Sequence, residues 1–155
     1  MEEAIFAAGC FWGVEAAFRQ IPGVLDTEVG YTGGRVANPT YQDVCYHNTG
    51  HAEAVRVEFD PQQITFGELV NVFWQIHDPT TMNRQGPDVG SQYRSAIFYK
   101  TEQQKTEAET AKKKLDASGA LPRPIVTEVT AAGPFWRAEE YHQRYAEKRG
   151  MLTCH

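Results

Sequence analysis

Apolar residues recur along the chain with two periods, one that suits a strand and one that suits a helix. Residues 52–59 alternate apolar and polar side chains, which predicts a strand with one buried face. Residues 10–20 carry apolar side chains at intervals of three and four, which predicts an amphipathic helix ended by Pro22-Gly23. Together the patterns predict strands at 4–8, 24–31, 52–59, 94–100 and 125–130, long helices at 10–20, 65–77 and 101–118, and a polar amphipathic segment at 138–149.

The first six long elements follow the order βαββαβ, which fits the split βαβ pattern of a ferredoxin-like sheet. The helix at 101–118 and the strand at 125–130 then add an αβ unit. We therefore expect an α+β fold, a ferredoxin-like split βαβ two-layer sandwich with an added αβ unit and a coil-rich C-terminal tail. No internal repeat or low-complexity linker divides the chain, so we expect one domain over 1–155, with 150–155 as a flexible tail.

The composition is ordinary for a globular protein, with 41% hydrophobic residues and a net charge of −5. An acidic chain without a Lys/Arg cluster is not expected to bind nucleic acid, and no apolar stretch approaches the roughly 20 residues of a membrane span. Residues 1–9 lack the basic start of a signal peptide, so we expect a cytoplasmic protein. The three cysteines are too few for a disulfide scaffold, and any disulfide should be transient and catalytic.

Cys10 occupies an unusual position in the pattern. It lies between a short apolar run and the predicted helix, within Gly9-Cys10-Phe11-Trp12-Gly13. Unpaired N–H groups and the positive end of the helix dipole lower the pKa of a thiol at a helix start. Free cysteines are commonly small buried hydrophobes, but two large aromatic side chains next to Cys10 favour a reactive thiol.

The other two cysteines are weaker candidates for chemistry. Cys154 is one residue from the end of the sequence, where it is either an inert exposed thiol or a resolving cysteine. A mobile tail could bring it to Cys10, since a disulfide needs Cα atoms within roughly 7 Å. Cys45 follows Tyr41 in a short helix-like segment, and we expect it to have a packing role.

Two further features are candidates for a polar site. Glu53 begins the apolar strand 52–59, where a desolvated carboxyl group would keep its proton near neutral pH and act as a general acid. For a lone glutamate, an exposed side chain at a strand entrance is the more common outcome. The irregular stretch 78–93 is rich in hydrogen-bonding side chains, and we expect it to form one wall of a polar pocket.

Other classes of protein stay open on the residues alone. His51-Ala52-Glu53 is the H-x-E half of a zinc deaminase signature, but the Pro-Cys-x-x-Cys half is absent. A zinc site with poor ligand spacing is a minor alternative, with the ligands Cys45, His47, His51 and either Cys154 or His155. A non-catalytic thiol or metal-binding module and a thiol peroxidase are the remaining alternatives.

Five motifs in register resemble the peptide methionine sulfoxide reductase A family. They are GCFWG at 9–13, GYTGG at 30–34, TGHAE at 49–53, QGPDVGSQYRS at 85–95 and EYHQRY at 140–145. The matches run in order from residue 9 to the tail and cover nearly the whole chain, so their combination is specific. The resemblance implies reduction of the S epimer of methionine sulfoxide, free or in oxidised proteins, to methionine.

The resemblance also implies roles for individual residues. Cys10 matches the nucleophile, and Glu53 matches the acid that protonates the sulfoxide oxygen. Tyr41 and Tyr93 match the tyrosines that hydrogen-bond to that oxygen. Five further positions match the substrate-binding residues of the family: Phe11 and Trp12, which cradle the S-methyl group, and Asp88, His142 and Tyr145.

The family resemblance further implies how the enzyme is recycled. Cys10 would become a sulfenic acid, and Cys154 would attack it to give a Cys10–Cys154 disulfide. Thioredoxin, or another dithiol, would then reduce this disulfide. The family's tail carries two recycling cysteines, one or none, and the single Cys154 here favours one resolving step. We expect a monomer with no metal and no organic cofactor.

Overall fold

A computed structural model describes residues 1–148, which form a mixed sheet with helices packed on it. Its strands are β1 (Glu2–Ala8), β2 (Val24–Thr32), β3 (Ala52–Phe59), β4 (Arg84–Gln85), β5 (Asp88–Val89), β6 (Ser95–Tyr99), β7 (Glu128–Ala131) and β8 (Trp136–Arg137). Its helices are α1 (Phe11–Arg19), α2 (Tyr41–Tyr46), α3 (Phe66–Gln75), α4 (Glu102–Ala117) and α5 (Tyr145–Lys148). Short 3₁₀ turns lie at Ser91–Tyr93 and Glu140–His142.

The main sheet has the strand order β7-β6-β1-β3-β2-β8. All its pairs are antiparallel except β6 with β7, which are parallel. The strands β4 and β5 form a separate antiparallel ribbon. The chain therefore has the α+β fold that the sequence predicts, and its sheet is mixed.

The core lies mainly between the sheet and helices α1 and α3. Phe6 of β1 is fully buried at its centre, and its ring packs against Phe18, Phe66 and Phe73 with centroid distances of 5.0, 6.0 and 5.4 Å. The opposite face of the sheet is lined with small side chains such as Ala7 and Ala54 and is covered by later segments. Both faces of β1 are thus buried, and β1 is a rigid support for the residues that follow it.

A capping box formed by Thr40 and Asp43 stabilises the start of helix α2. The Thr40 hydroxyl accepts a hydrogen bond from the Asp43 N–H, and the Asp43 carboxylate accepts one from the Thr40 N–H. This capping box satisfies two of the donors that a helix start leaves without intrahelical partners. The same arrangement of Thr65 and Glu68 begins α3.

The segment after β8 is polar, yet it is tightly bound to the rest of the fold. The Gln143 side chain accepts from the Val29 N–H at 2.9 Å and donates to the carbonyls of Val29 and Ala138 at 2.9 Å. Buried Glu15 of α1 accepts from the Arg144 N–H at 2.7 Å. These bonds fix the path of the chain from the sheet edge to α1.

The structure refines several sequence expectations. The strand at 52–59 has the predicted bounds, but the strand expected at 125–130 is β7, which begins only at Glu128. It is not the last strand of the described residues, because β8 follows it. Two-residue strands such as β4, β5 and β8 are too short to show a period of two. The tail expected at 150–155 lies outside the described residues, and no helix within 1–148 is long and apolar enough to span a membrane.

Replacing Phe6 by alanine should reduce the free energy of unfolding by about 3–5 kcal/mol, because the cavity would remove contacts with three other rings. Phe6→Leu keeps more of the volume and should cost clearly less. Urea denaturation of both variants measures the difference. Equal losses for both variants would contradict the packing described here.

Candidate active site

Cys10 is the N-cap residue of α1, directly after β1. The turn that leads to it needs Gly9, whose φ is +99°. A Cβ on Gly9 would lie only 2.8 Å from the side chain of Gln85. The absence of a side chain at residue 9 therefore lets the loop containing β4 approach the cysteine.

Glu53 lies beneath the start of α1. It is 2% exposed, and its Oε1 accepts a hydrogen bond from the Phe11 N–H at 3.2 Å. Its other oxygen, Oε2, is buried and has no hydrogen-bond partner among the residues that the structure describes. Burial raises the pKa of Glu53 to about 8, against the opposing Phe11 bond and with a further contribution from the charge of Asp88. Glu53 is therefore protonated at neutral pH.

Two tyrosines lie close enough to the same carboxyl group for its charge to raise their pKa values. Tyr41 begins α2, and Tyr93 ends the turn that precedes β6. Burial raises the pKa of both phenols, and the charge of Glu53 raises both pKa values further. At Tyr41, the side-chain hydrogen bond with Cys45 also raises the pKa. Both hydroxyl groups thus keep their protons and can act as hydrogen-bond donors.

Asp88 enters the site from the ribbon formed by β4 and β5. Its charge raises the pKa values of both Glu53 and Tyr93. The ribbon is held by Gln85, whose side chain accepts from the Asp78 N–H at 2.7 Å and donates to the Asp78 carbonyl at 2.8 Å. The irregular stretch 78–93 is therefore ordered and polar, and its role as one wall of a pocket stays a prediction.

An aromatic cluster lies beside Phe11 and Tyr41. Trp12 donates its indole N–H to Nδ1 of His142 at 2.9 Å, and the Tyr145 ring stacks on Trp12 at 3.8 Å. The fully buried His142 ring also lies 5.2 Å from Phe11 and 4.5 Å from Tyr41. Burial lowers the pKa of His142, although the charge of Glu139 opposes the effect. A neutral imidazole thus accepts the bond that orients Trp12.

The arrangement combines a thiol at a helix start, a buried protonated carboxyl group, two phenol donors and an aromatic wall. The matching family model is described as peptide methionine sulfoxide reductase, and it covers residues 2–155. The chain belongs to this family. As a methionine sulfoxide reductase, it is an oxidoreductase that reduces methionine sulfoxide to methionine.

Individual relatives agree with the family model. The peptide methionine sulfoxide reductase MsrA of Acidobacterium capsulatum is 58% identical over 155 residues, which are 100% of this chain and 99% of that protein. The crystal structure of reduced Mxr1 from Saccharomyces cerevisiae matches with a TM-score of 0.90 and 36% identity, over 96% of this chain and 86% of that one. The structure of Mxr1 in complex with Trx2 matches with a TM-score of 0.65 and 26% identity, over 94% and 84%.

The fold of this reductase brings most of the sequence-predicted site residues together. Those within the described part are Cys10, Phe11, Trp12, Tyr41, Glu53, Asp88, Tyr93, His142 and Tyr145. Cys154, the predicted resolving cysteine, lies outside the described residues. Glu53 is buried. This differs from the outcome that is more common for a lone glutamate at a strand entrance, which is an exposed side chain.

His51 has a structural role in the reductase. Its Nδ1 accepts a hydrogen bond from the Gly34 N–H at 3.0 Å, and its Nε2 contacts the Val36 carbonyl at 2.7 Å. Both ring nitrogens are thus engaged with the backbone of the loop after β2, which leaves neither nitrogen for zinc. Within residues 1–148, no group of three His, Cys, Asp or Glu side chains could hold a metal ion.

Sequence reasoning missed two residues at the site. Cys45, which we expected to have a packing role, lies one helical turn after Tyr41 and shares a side-chain hydrogen bond with it. Burial raises the pKa of the Cys45 thiol, against the effect of the Tyr41 bond. The spacing of four residues was a usable signal for this contact. Glu139, which binds the first residue of α2, had no comparable signal.

The pKa of Glu53 predicts a pH dependence of stability. Because the buried carboxyl group is costly to ionise, the rise of its pKa from the ordinary 4.5 to about 8 makes the folded chain about 5 kcal/mol more stable below pH 4.5 than well above pH 8. The folded form holds this proton more tightly than the unfolded form, so the stabilisation is lost as the pH rises from 4.5 through about 8. Urea denaturation between pH 5 and 9 measures the loss.

The Glu53→Gln variant should lack this part of the pH dependence. Glu58→Gln, which changes a half-buried glutamate on the same strand, should retain it. An identical pH profile for the parent chain and the Glu53→Gln variant would contradict the assignment of the raised pKa to Glu53.

Proposed function

We propose that Cys10 is the nucleophile and Glu53 the proton donor in the reduction of methionine-S-sulfoxide, free or in proteins. The observation that supports this most directly is the contact of Glu53 with the Phe11 N–H. It holds a protonated carboxyl group one residue from the candidate thiol. General acid catalysis is most effective when the pKa of the acid lies near the working pH, and a pKa of about 8 meets that condition.

The proposed reaction reduces the sulfoxide sulfur by two electrons and oxidises the Cys10 sulfur by two electrons. The Cys10 thiolate attacks the sulfoxide sulfur and forms a sulfur–sulfur bond, while the oxygen takes up a proton from Glu53 and, with a second proton from solvent, leaves as water. A water molecule then adds to the Cys10 sulfur and loses a proton, the sulfur–sulfur bond breaks, methionine leaves with its sulfur reduced, and Cys10 becomes a sulfenic acid. Because the thiol supplies both electrons, the reaction needs no metal and no organic cofactor.

The two tyrosines and Asp88 complete the polar part of this proposal. Tyr41 and Tyr93 keep their protons and can donate to the oxygen as negative charge develops on it. One such donor contributes on the order of 3 kcal/mol to stabilisation of a transition state. Asp88 is a candidate to bind the polar part of the substrate, since its charge is felt by both Glu53 and Tyr93.

The aromatic wall is the proposed binding surface for the S-methyl group. Burial of a methyl group against Phe11 and Trp12 contributes roughly 1 kcal/mol. His142 and Tyr145 contact Trp12 on its nitrogen and on its face, so they hold the indole in one orientation. A fixed methyl site and a fixed set of oxygen donors together select one epimer, because the other epimer would exchange these two groups.

The recycling step is proposed on chemical grounds. Cys154 attacks the Cys10 sulfenic acid, a Cys10–Cys154 disulfide forms, and water is released. Thioredoxin then reduces the disulfide by thiol exchange. The structural match to Mxr1 in complex with Trx2 supports thioredoxin as the reductant.

We also propose a ferredoxin-like core for the reductase. The antiparallel order β6-β1-β3-β2, with α1 and α3 as the two connecting helices, supports the split βαβ description. The added αβ unit is α4 with β7, which extends the sheet beyond β6. A single domain over 1–155, a monomeric state and a cytoplasmic location remain predictions.

Glu53→Gln should lower the single-turnover rate by roughly a hundredfold or more, because the amide cannot give up a proton. In the parent chain the rate should fall as the pH rises through about 8, where Glu53 loses its proton. Rapid-quench measurement of methionine from a methionine-S-sulfoxide peptide at pH 6–10 tests both points. A parent rate that keeps rising above pH 9, or an active Glu53→Gln variant, would refute the role of Glu53.

The cysteine variants separate the chemical step from recycling. Cys10→Ser should abolish single-turnover reduction, whereas Cys154→Ser should keep one turnover per chain and lose thioredoxin-supported cycling. Mass spectrometry of the oxidised parent chain should detect a Cys10–Cys154 disulfide. Unchanged cycling of Cys154→Ser would show that another thiol resolves the sulfenic acid.

A further inference from the structure

Glu139 joins three parts of the fold that meet at the site. Its Oε2 accepts a hydrogen bond from the Tyr41 N–H at 2.9 Å, and its Oε1 accepts one from the Tyr31 hydroxyl at 2.9 Å. Glu139 is also the N-cap residue of the 3₁₀ turn that carries His142. One carboxylate therefore connects the start of α2, strand β2 and the turn that carries His142.

The start of α2 depends on such an external partner. The helix has only six residues, and a helix of that length is unstable on its own. Its capping box satisfies the N–H groups of Thr40 and Asp43, but not that of Tyr41, the first helical residue. Glu139 supplies the missing acceptor, at the residue whose phenol the proposed reaction uses.

Tyr31 anchors the other end of this connection. It is fully buried in β2, pairs with Glu53 across the strands and packs against Phe11 at 5.7 Å. Its hydroxyl thus fixes Glu139 relative to the strand that carries the proton donor. The distance between Glu53 and the start of α2 is determined through this chain of contacts.

Glu139 is ionised, and an ionised carboxyl group can accept both hydrogen bonds. Burial acts to raise its pKa, but the bonds from the Tyr41 N–H, from its own backbone N–H and from the Tyr31 hydroxyl outweigh burial and lower it. Glu139 is therefore ionised when Glu53 is protonated. A carboxylate offers acceptors to both donors, whereas a glutamine would turn its NH₂ group toward one of them.

We propose that Glu139 is a positioning residue for Tyr41, which it holds so that the phenol can reach the sulfoxide oxygen. The inference rests on the proposed function. Because Glu139 acts through Tyr41, its loss should weaken an interaction made in the transition state and lower kcat more than it changes KM. Small displacements of a catalytic group reduce rates strongly, by up to about a hundredfold for 1 Å.

A double-mutant cycle with Tyr41 tests the inference. Glu139→Gln should lower the single-turnover rate about tenfold or more, but should cause little further loss when added to Tyr41→Phe. Glu140→Gln is the matched control, because it removes the same charge from an exposed neighbour that pairs with Arg137. It should leave the rate unchanged. A Glu139→Gln rate within twofold of the parent, or effects of Glu139→Gln and Tyr41→Phe that multiply, would overturn the inference.

A spectroscopic readout separates this inference from the proposed function. The Tyr41 amide proton donates to a carboxylate, so its NMR resonance should move upfield in Glu139→Gln and stay in place in Glu140→Gln. The same spectra report whether each variant is folded, and Glu139→Asp, which keeps the charge, should restore part of the shift. An unmoved Tyr41 resonance in folded Glu139→Gln would overturn the inference. A parent chain without Cys10-dependent turnover would instead contradict the proposed function.

Discussion

The site depends on the burial of Glu53 under the first turn of α1. A carboxyl group with 2% exposure and one oxygen without a partner among the described residues is costly to ionise. The fold tolerates it because the Phe11 N–H, which the helix start leaves without an intrahelical partner, binds its other oxygen. The same hydrogen bond connects β3 to α1. It therefore keeps the protonated acid close to Cys10, the residue that precedes Phe11.

Two glutamates in the same region are thereby kept in opposite protonation states. Glu53 accepts one backbone bond, and desolvation dominates its pKa. Glu139 accepts bonds from the Tyr31 hydroxyl and the Tyr41 N–H, and these outweigh its smaller burial. The depth of burial and the donors that face each carboxyl group together decide which one stores a proton and which one carries charge.

The sequence predicts the parts of this arrangement that local patterns encode. The alternation at 52–59 and the thiol at the helix start both have such a signal, and the motifs in register identify the family. The burial of Glu53 has no local signal, because it is produced by the packing of α1 across β3. The pairing of β8 with β2 and the bonds of Glu139 join residues about 100 positions apart, and no periodicity reports such contacts.

The polar C-terminal segment holds one side of the aromatic wall by hydrogen bonds, in addition to the apolar core that contains Phe11 and supports Trp12. Gln143 makes three hydrogen bonds to backbone groups on its neighbours, and Glu15 binds the backbone of Arg144. Directional bonds fix the register of the segment, whereas apolar contacts alone would let it slide along α1. A slide of one residue would remove His142 from the indole N–H and Tyr145 from the indole face. The polar sequence of this segment is therefore what makes the position of Trp12 specific.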